Sequence, residues 1–160
     1  MSIVVVRTFT VTAPADVVLE YLKDFGTTQE WDPATRRTTR IDAGPIVVGS
    51  SWQNETRALG VRAELTYTLA DVRSDRLVFV GRNEGATSTG TVMVRPVEGG
   101  TEVTYEVDLE LHGLAKLVTP MARSEVERLA TETAGRLTEV LDRLASAAGT
   151  GDALDQLEQA

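Results

Sequence analysis

Cysteine is absent from this 160-residue chain, and histidine occurs once, as His112. Without cysteine there is no disulfide, no thiol nucleophile and no cysteine-ligated metal. One histidine cannot build a multi-histidine metal site, so no metal and no cofactor are expected. Basic residues are outnumbered: 16 Lys and Arg stand against 24 Asp and Glu, for a net charge of −8. A chain this acidic is poorly suited to neutralising phosphates, which excludes general nucleic-acid binding as a first expectation. It is equally unsuited to lying on an anionic membrane. No run approaches the ~18 apolar residues of a membrane span. The opening Met1-Ser2-Ile3-Val4-Val5-Val6-Arg7 lacks the basic start, the longer apolar stretch and the cleavage site of a secretion signal. A soluble, cytoplasmic protein is therefore expected. Aromatic residues are scarce, at 5%, so few bulky side chains are available to fill an interior.

What is present is an ordinary globular composition, with 42% hydrophobic residues. The length suits one domain, since a domain takes roughly 100–200 residues. At this size folding buries about 70% of the unfolded chain's surface, enough for a core and a modest cavity. Residues 3–11 are rich in β-branched types and read as a strand. Pro14 suits a helix's first turn, Asp16 favours its positive end, and Val17, Val18, Tyr21, Leu22 and Phe25 recur at helical spacing up to Gly26. A further turn can form over 27–31 before Asp32-Pro33 breaks it.

From Thr35 to Leu111 short strands take over, predicted at 35–42, 50–57, 61–72, 77–81, 87–96 and 101–111, separated by Gly-, Pro-, Asn- and Asp-rich turns. Two of them alternate cleanly. Val61, Ala63, Leu65, Tyr67 and Leu69 share one side; Val103, Tyr105, Val107, Leu109 and Leu111 share another, with Glu102, Glu106, Asp108 and Glu110 opposite. Such alternation predicts an antiparallel sheet with one wet face. An apolar stripe of period near 3.6 then runs from Leu117 through Met121, Val126, Leu129, Leu137 and Leu141 to Leu144. Thr119-Pro120 interrupts its start: either a short helix ends there, or one helix is kinked. The domain is placed at residues 1–147, and 148–160 are expected to form a flexible acidic tail.

The order is strand, two short helices, six strands and a long helix. The apolar sheet face has to be covered, and only the last helix is long enough. At this point the sequence resembles the START-like, or SRPBCC, helix-grip superfamily, and within it the polyketide cyclase/dehydrase group. The resemblance rests on Ala13-Pro14-Ala15-Asp16-Val17-Val18, Asp24, Glu30-Trp31-Asp32-Pro33, Val48-Gly49-Ser50-Ser51-Trp52, Arg76-Leu77-Val78-Phe79, Gly100-Thr101-Glu102-Val103-Thr104-Tyr105 and the long amphipathic helix. It implies an α+β helix-grip fold: a strongly curved antiparallel sheet of about seven strands wrapped round the C-terminal helix, with two short N-terminal helices. It implies a cavity for a lipid-like or aromatic polyketide-like molecule, in which a few members catalyse cyclisation and dehydration.

The candidate ligand-binding residues are Trp31, Trp52, Asn54, Tyr67, Phe79, Met93, Tyr105, Leu117 and Met121. Trp31 is either a cavity wall or a plug closing one end, and Trp52 is open to the same two readings. If Trp52 faces inward, Asn54 does too, two residues along the strand. Tyr67 and Tyr105 lie on apolar strand faces, so their hydroxyls need a partner, either within the core or on a ligand. Phe79 and Met93 depend on strand parity; Leu117 and Met121 are either core or lining. The 82–84 loop and Arg123 could rim a mouth, or be simply solvated. His112 is either an acid/base group or an exposed strand end. No catalytic set has a diagnostic spacing, so the catalytic residues are unknown. The reading is a binder of a hydrophobic small molecule, in a pocket of roughly 300 Å³ or more. The alternatives are an aromatic polyketide cyclase/dehydratase, and a non-catalytic interaction module that could form a homodimer.

Overall fold

The computed structural model describes residues 2–58 and 60–158, with side chains described up to 147. Seven strands follow the expected periodicities: β1 (Ser2–Val11), β2 (Thr35–Arg40), β3 (Ser51–Ala58), β4 (Val61–Arg73), β5 (Arg76–Arg82), β6 (Ala86–Val97) and β7 (Gly100–Leu111). They form one antiparallel sheet in the order β1-β7-β6-β5-β4-β3-β2. Consecutive strands β2 to β7 are neighbours, joined by short turns except for the longer connection over residues 41–50 between β2 and β3, and β1 joins at the far edge beside β7. Register shifts at Leu69/Asp71 and Thr35/Arg37 are sites where a bulge bends a strand. Leu59 lies outside the described residues, but Gly60 beside it has φ 71°, the left-handed turn conformation that glycine adopts without strain.

Between β1 and β2 lie α1 (Ala15–Lys23), a 3₁₀ turn (Phe25–Thr27) and α2 (Thr28–Trp31). Helix α1 stops before Gly26, the expected end, because the Asp24 carboxylate accepts a bond from the Gly26 N–H and caps the next turn. A second 3₁₀ turn (Gly113–Val118) precedes α3 (Thr119–Glu158). This settles the ambiguity at Thr119-Pro120: a short element ends and the long helix begins, with Pro120 in the first turn, where no N–H is required. The tail expected to be flexible at 148–160 falls partly on the backbone of α3, which is described to Glu158, and partly on residues 159–160, which lie outside the described residues.

Helix α3 runs chiefly against β1. The Asp142 carboxylate accepts bonds from the Thr12 N–H (2.9 Å) and hydroxyl (3.1 Å), and Arg7 donates to the Thr131 hydroxyl and the Glu127 carbonyl. The buried apolar residues fall into two separate clusters. One joins Val18, Leu22, Phe25, Trp31, Trp52, Leu69, Leu77 and Phe79 to Leu137 and Leu141 of α3; the other joins Ile3 and Val5 to Ala122 and Ala130. The space between them is the feature that matters for function.

Candidate functional site

Between the sheet and α3 lies an apolar cavity of about 270 Å³. Its lining draws on both clusters: Leu22, Phe25 and Trp31 at one side, Leu109, Leu111 and Val126 at the other, with Leu65, Phe79, Val92 and Val107 from the sheet between them. The interior is thus not solid, although the volume falls about a tenth short of the roughly 300 Å³ expected of a ligand site. The cavity reaches the surface at Asn83, an exposed residue of the β5–β6 turn. The Asn83 side chain closes that turn, its Oδ1 accepting from the N–H groups of Gly85 and Ala86.

Two glycines help shape the space. Gly90 lines the cavity, and a Cβ built on it meets nothing within 4 Å. Gly81 does the opposite: a Cβ there would lie 2.5 Å from Cζ of Tyr67, its register partner. Because Gly81 carries no side chain, the Tyr67 ring lies across the β5 backbone, and it stacks on Phe25 at 4.3 Å between centroids.

Four of the nine candidate residues line the cavity: Trp31, Tyr67, Phe79 and Tyr105. Trp31 is a wall, buried, held by its Nε1–H donating to the Thr27 hydroxyl at 3.0 Å and meeting the Tyr105 ring edge-on. The other five lie outside it, which corrects the expectation that they line it. Trp52 faces inward and is 1% exposed, but it is packed against Phe25 and Phe79 under the Arg40 guanidinium. Asn54 faces inward with it and is spent on a buried network: its Nδ2 donates to the hydroxyls of Thr35 (3.0 Å) and Thr38 (2.8 Å). Met93 points outward between the buried Val92 and Val94 and is 37% exposed. Leu117 (77% exposed) and Met121 (67%) belong to the 3₁₀ turn and first turn of α3, which bury neither side chain. His112 also lies off the cavity, its Nε2 paired with the Thr87 hydroxyl at 2.9 Å. Arg82, Glu84 and Arg123 are solvated.

The lining includes polar groups that the sequence reading passed over: Asp32, Ser88 and Thr133. Asp32 matters most, because it is the only charged residue among the described lining residues. Its Oδ1 accepts from the Ala34 N–H (2.9 Å), and its Oδ2 from the Thr35 hydroxyl (2.8 Å). Burial pushes its carboxyl above the ordinary range, against the pull of those bonds and of Arg136. The signal in the sequence is Asp-Pro-Ala-Thr, an aspartate placed to bond its own following backbone, beyond its part in ending a helix and in the family resemblance. Burial also raises both tyrosines, Tyr67 to about 12, with a hydrogen bond to Ser88 opposing the rise and the nearby Asp32 adding to it. Tyr105 is held well above its usual value by burial, then by the charge of Asp32 and by Tyr67. The Tyr105 hydroxyl has no hydrogen-bond partner among the described residues.

A second depression, of about 290 Å³, is lined by Arg36, Glu55, Arg62 and Glu64, all exposed. It offers no apolar enclosure.

The family model for polyketide cyclase/dehydrase and lipid transport matches residues 2–148. The chain belongs to this family. A comparison with curated proteins finds no match. Among solved structures, the chain is similar to the Zhui aromatase/cyclase from Streptomyces sp. R1128, with a TM-score of 0.77 and 18% identity, covering 93% of this chain and 99% of that one. It is also similar to a START superfamily protein from Mycobacterium smegmatis (TM-score 0.66, 15% identity, 91% and 98% covered). A third is a major latex-like protein from Panax ginseng (TM-score 0.66, 12% identity, 86% and 96% covered). At such identities the likeness shows the fold: a START-like helix-grip, as the sequence implied. No helix among the described residues is long and apolar enough to cross a membrane.

Proposed function

We propose that this member of the family binds a compact hydrophobic molecule in the cavity between the sheet and α3. The observation that carries the reading is an apolar enclosure in which the Tyr105 hydroxyl lacks a partner. A hydroxyl that faces an apolar cavity without a bond is poorly satisfied, and a ligand oxygen or nitrogen supplies the missing partner. The volume sets the size. An apolar cavity of about 150 Å³ takes a benzene, so about 270 Å³ suits two fused rings better than an extended lipid chain. Of the two ligand classes that the sequence suggested, the aromatic one fits a cavity of this volume.

Native mass spectrometry of the purified protein, followed by organic extraction, tests this. A released ring compound, or saturable one-to-one binding of naphthalene as a probe, is the expected result. An empty protein that gives no thermal shift with naphthalene and related ring compounds would sink the reading.

The second reading is a cyclase or dehydratase. It is favoured by the polar side of the lining, where Asp32, Tyr67, Ser88 and Tyr105 could hold or move a proton. It ranks second because no Arg, Lys or His stands among the described lining residues to stabilise an enolate. Turnover of an aromatic poly-ketone analogue, abolished in a double Tyr67→Phe, Tyr105→Phe variant, would reverse the ranking.

A further inference from the structure

Asp32 does not act alone. Asn54 Nδ2 forks to two threonines, and both of its hydrogens are used. On one arm, Thr35 accepts from Asn54 and donates onward to Asp32 Oδ2. On the other, Thr38 accepts from Asn54 and meets the Thr28 hydroxyl at 2.6 Å, while Thr28 donates to the Phe25 carbonyl at 2.7 Å. Since Thr28 spends its hydrogen on Phe25, the hydrogen between the two threonines comes from Thr38. The direction of every bond is therefore fixed, and the network brings hydrogens, never lone pairs, to Asp32.

The carboxyl accepts from the Ala34 N–H at Oδ1 and from the Thr35 hydroxyl at Oδ2, and the Thr35 N–H adds a third, weaker pull. A carboxylate has about four acceptor positions, so acceptor capacity remains on a group that lines an apolar cavity. The other polar groups of the lining are neutral, and none is a cation. Arg136, a cation that pulls on Asp32 from a distance, donates to Glu132 and is not part of the lining.

We propose that Asp32 sets the specificity of this cavity: it selects a one- or two-ring ligand that presents a hydrogen-bond donor, a hydroxyl or an amine, and it excludes ligands that carry a carboxylate. The proposal rests on the cavity being a binding site, and it adds the chemical class. A donor on the ring meets the open positions of the carboxyl, and the Tyr105 hydroxyl can donate to the same ligand group. A carboxylate would be stripped of water, placed beside a like charge, and offered no cation. Fatty acids and other anionic acids are thereby disfavoured, whatever their apolar part. Asn54 is a positioning residue in this scheme, acting through Thr35.

The test uses three matched probes on the full chain near neutral pH, by calorimetry: naphthalene, 2-naphthol and 2-naphthoate. Wild type should bind 2-naphthol roughly ten- to a hundredfold more tightly than naphthalene, the usual worth of a hydrogen bond to a charged group. It should bind 2-naphthoate more weakly than naphthalene. In Asp32→Asn, which keeps the shape and removes the charge, the 2-naphthol advantage and the 2-naphthoate penalty should each shrink by about tenfold or more. Equal binding of 2-naphthol and 2-naphthoate by wild type overturns the proposal, as does an unchanged ranking in Asp32→Asn. The wild-type ranking needs no variant, so the proposal stays testable even if Asp32→Asn fails to fold. Failure of naphthalene itself overturns the cavity reading and this proposal with it; naphthalene binding with the wrong ranking overturns the specificity alone.

Discussion

Replacing Gly90 with leucine tests the cavity directly. Gly90 sits mid-strand in β6, between Phe79 and Val107. It is not among the glycines of positive φ, and a Cβ on it enters open space. A larger residue therefore meets neither backbone strain nor a clash at its first atom. Four added carbons, buried at about 0.8 kcal/mol each, stabilise by about 3 kcal/mol. Removing a glycine from a strand adds about 0.5–1 kcal/mol. Imperfect fit offsets part of this, so an increase of about 2–3 kcal/mol is expected, or roughly 5–12 °C in Tm at this chain length. Taking about 30 Å³ per heavy atom, as in liquid water, the side chain occupies roughly 120 Å³ and leaves about 150 Å³, space for one ring but not two. Gly90→Leu should thus unfold later, lose naphthalene binding by more than tenfold, and still admit benzene. Thermal unfolding and calorimetry read both effects. Lower stability would mean that the space is not there; a more stable protein that still binds naphthalene as before would mean that the ligand binds elsewhere.

Gly81→Ala should act in the opposite sense. Its Cβ would meet the Tyr67 ring at 2.5 Å, and displacing that ring should cost about 1–3 kcal/mol in denaturant unfolding; unchanged stability would refute the stacked placement. Asn54→Ala leaves the Thr35 and Thr38 hydroxyls short of a donor in a buried network and should cost about 1–3 kcal/mol, a loss that an exposed asparagine would not show. The folded-state pKa of Asp32 is raised above its ordinary 3.8, so the folded state holds this proton more tightly than the unfolded one. Its contribution to stability is then most favourable below the unfolded value and falls as pH rises through the folded value. The stability of Asp32→Asn relative to wild type should accordingly increase from pH 4 upward and then level off; a pH-independent difference would refute the raised value.

Much of the fold was legible because it rests on periodicity and chain stiffness. Alternation in 61–69 and 103–111 fixed which residues face inward, and the inward row through Tyr67 and Tyr105 is where those rings stand. The Asp32-Pro33 break fell where α2 ends, and the glycine-containing turns fell between strands. The site was less legible. Trp52 and Asn54 have the inward parity that their spacing allowed, yet neither reaches the cavity, because Phe25 and Phe79 fill the space in front of Trp52 and the threonines use both hydrogens of Asn54. Parity gives a side of the sheet, not a depth. Leu117 and Met121 carry the apolar stripe onto a stretch that buries neither residue, and a stripe does not say where its partner surface stops. Gly90, by contrast, was a signal left unread: a glycine inside a strand marks a bend or a space.

By itself, the sequence determined the seven strands, the long covering helix and the excluded chemistries, since these follow from local periodicity, turn residues and composition. Only the tertiary structure decided that two apolar clusters stay apart, that Gly90 leaves their gap open, and that Asp32 stands in it as the sole charge among the described lining residues. Those depend on distances between residues far apart in the chain, which packing sets and no local pattern encodes.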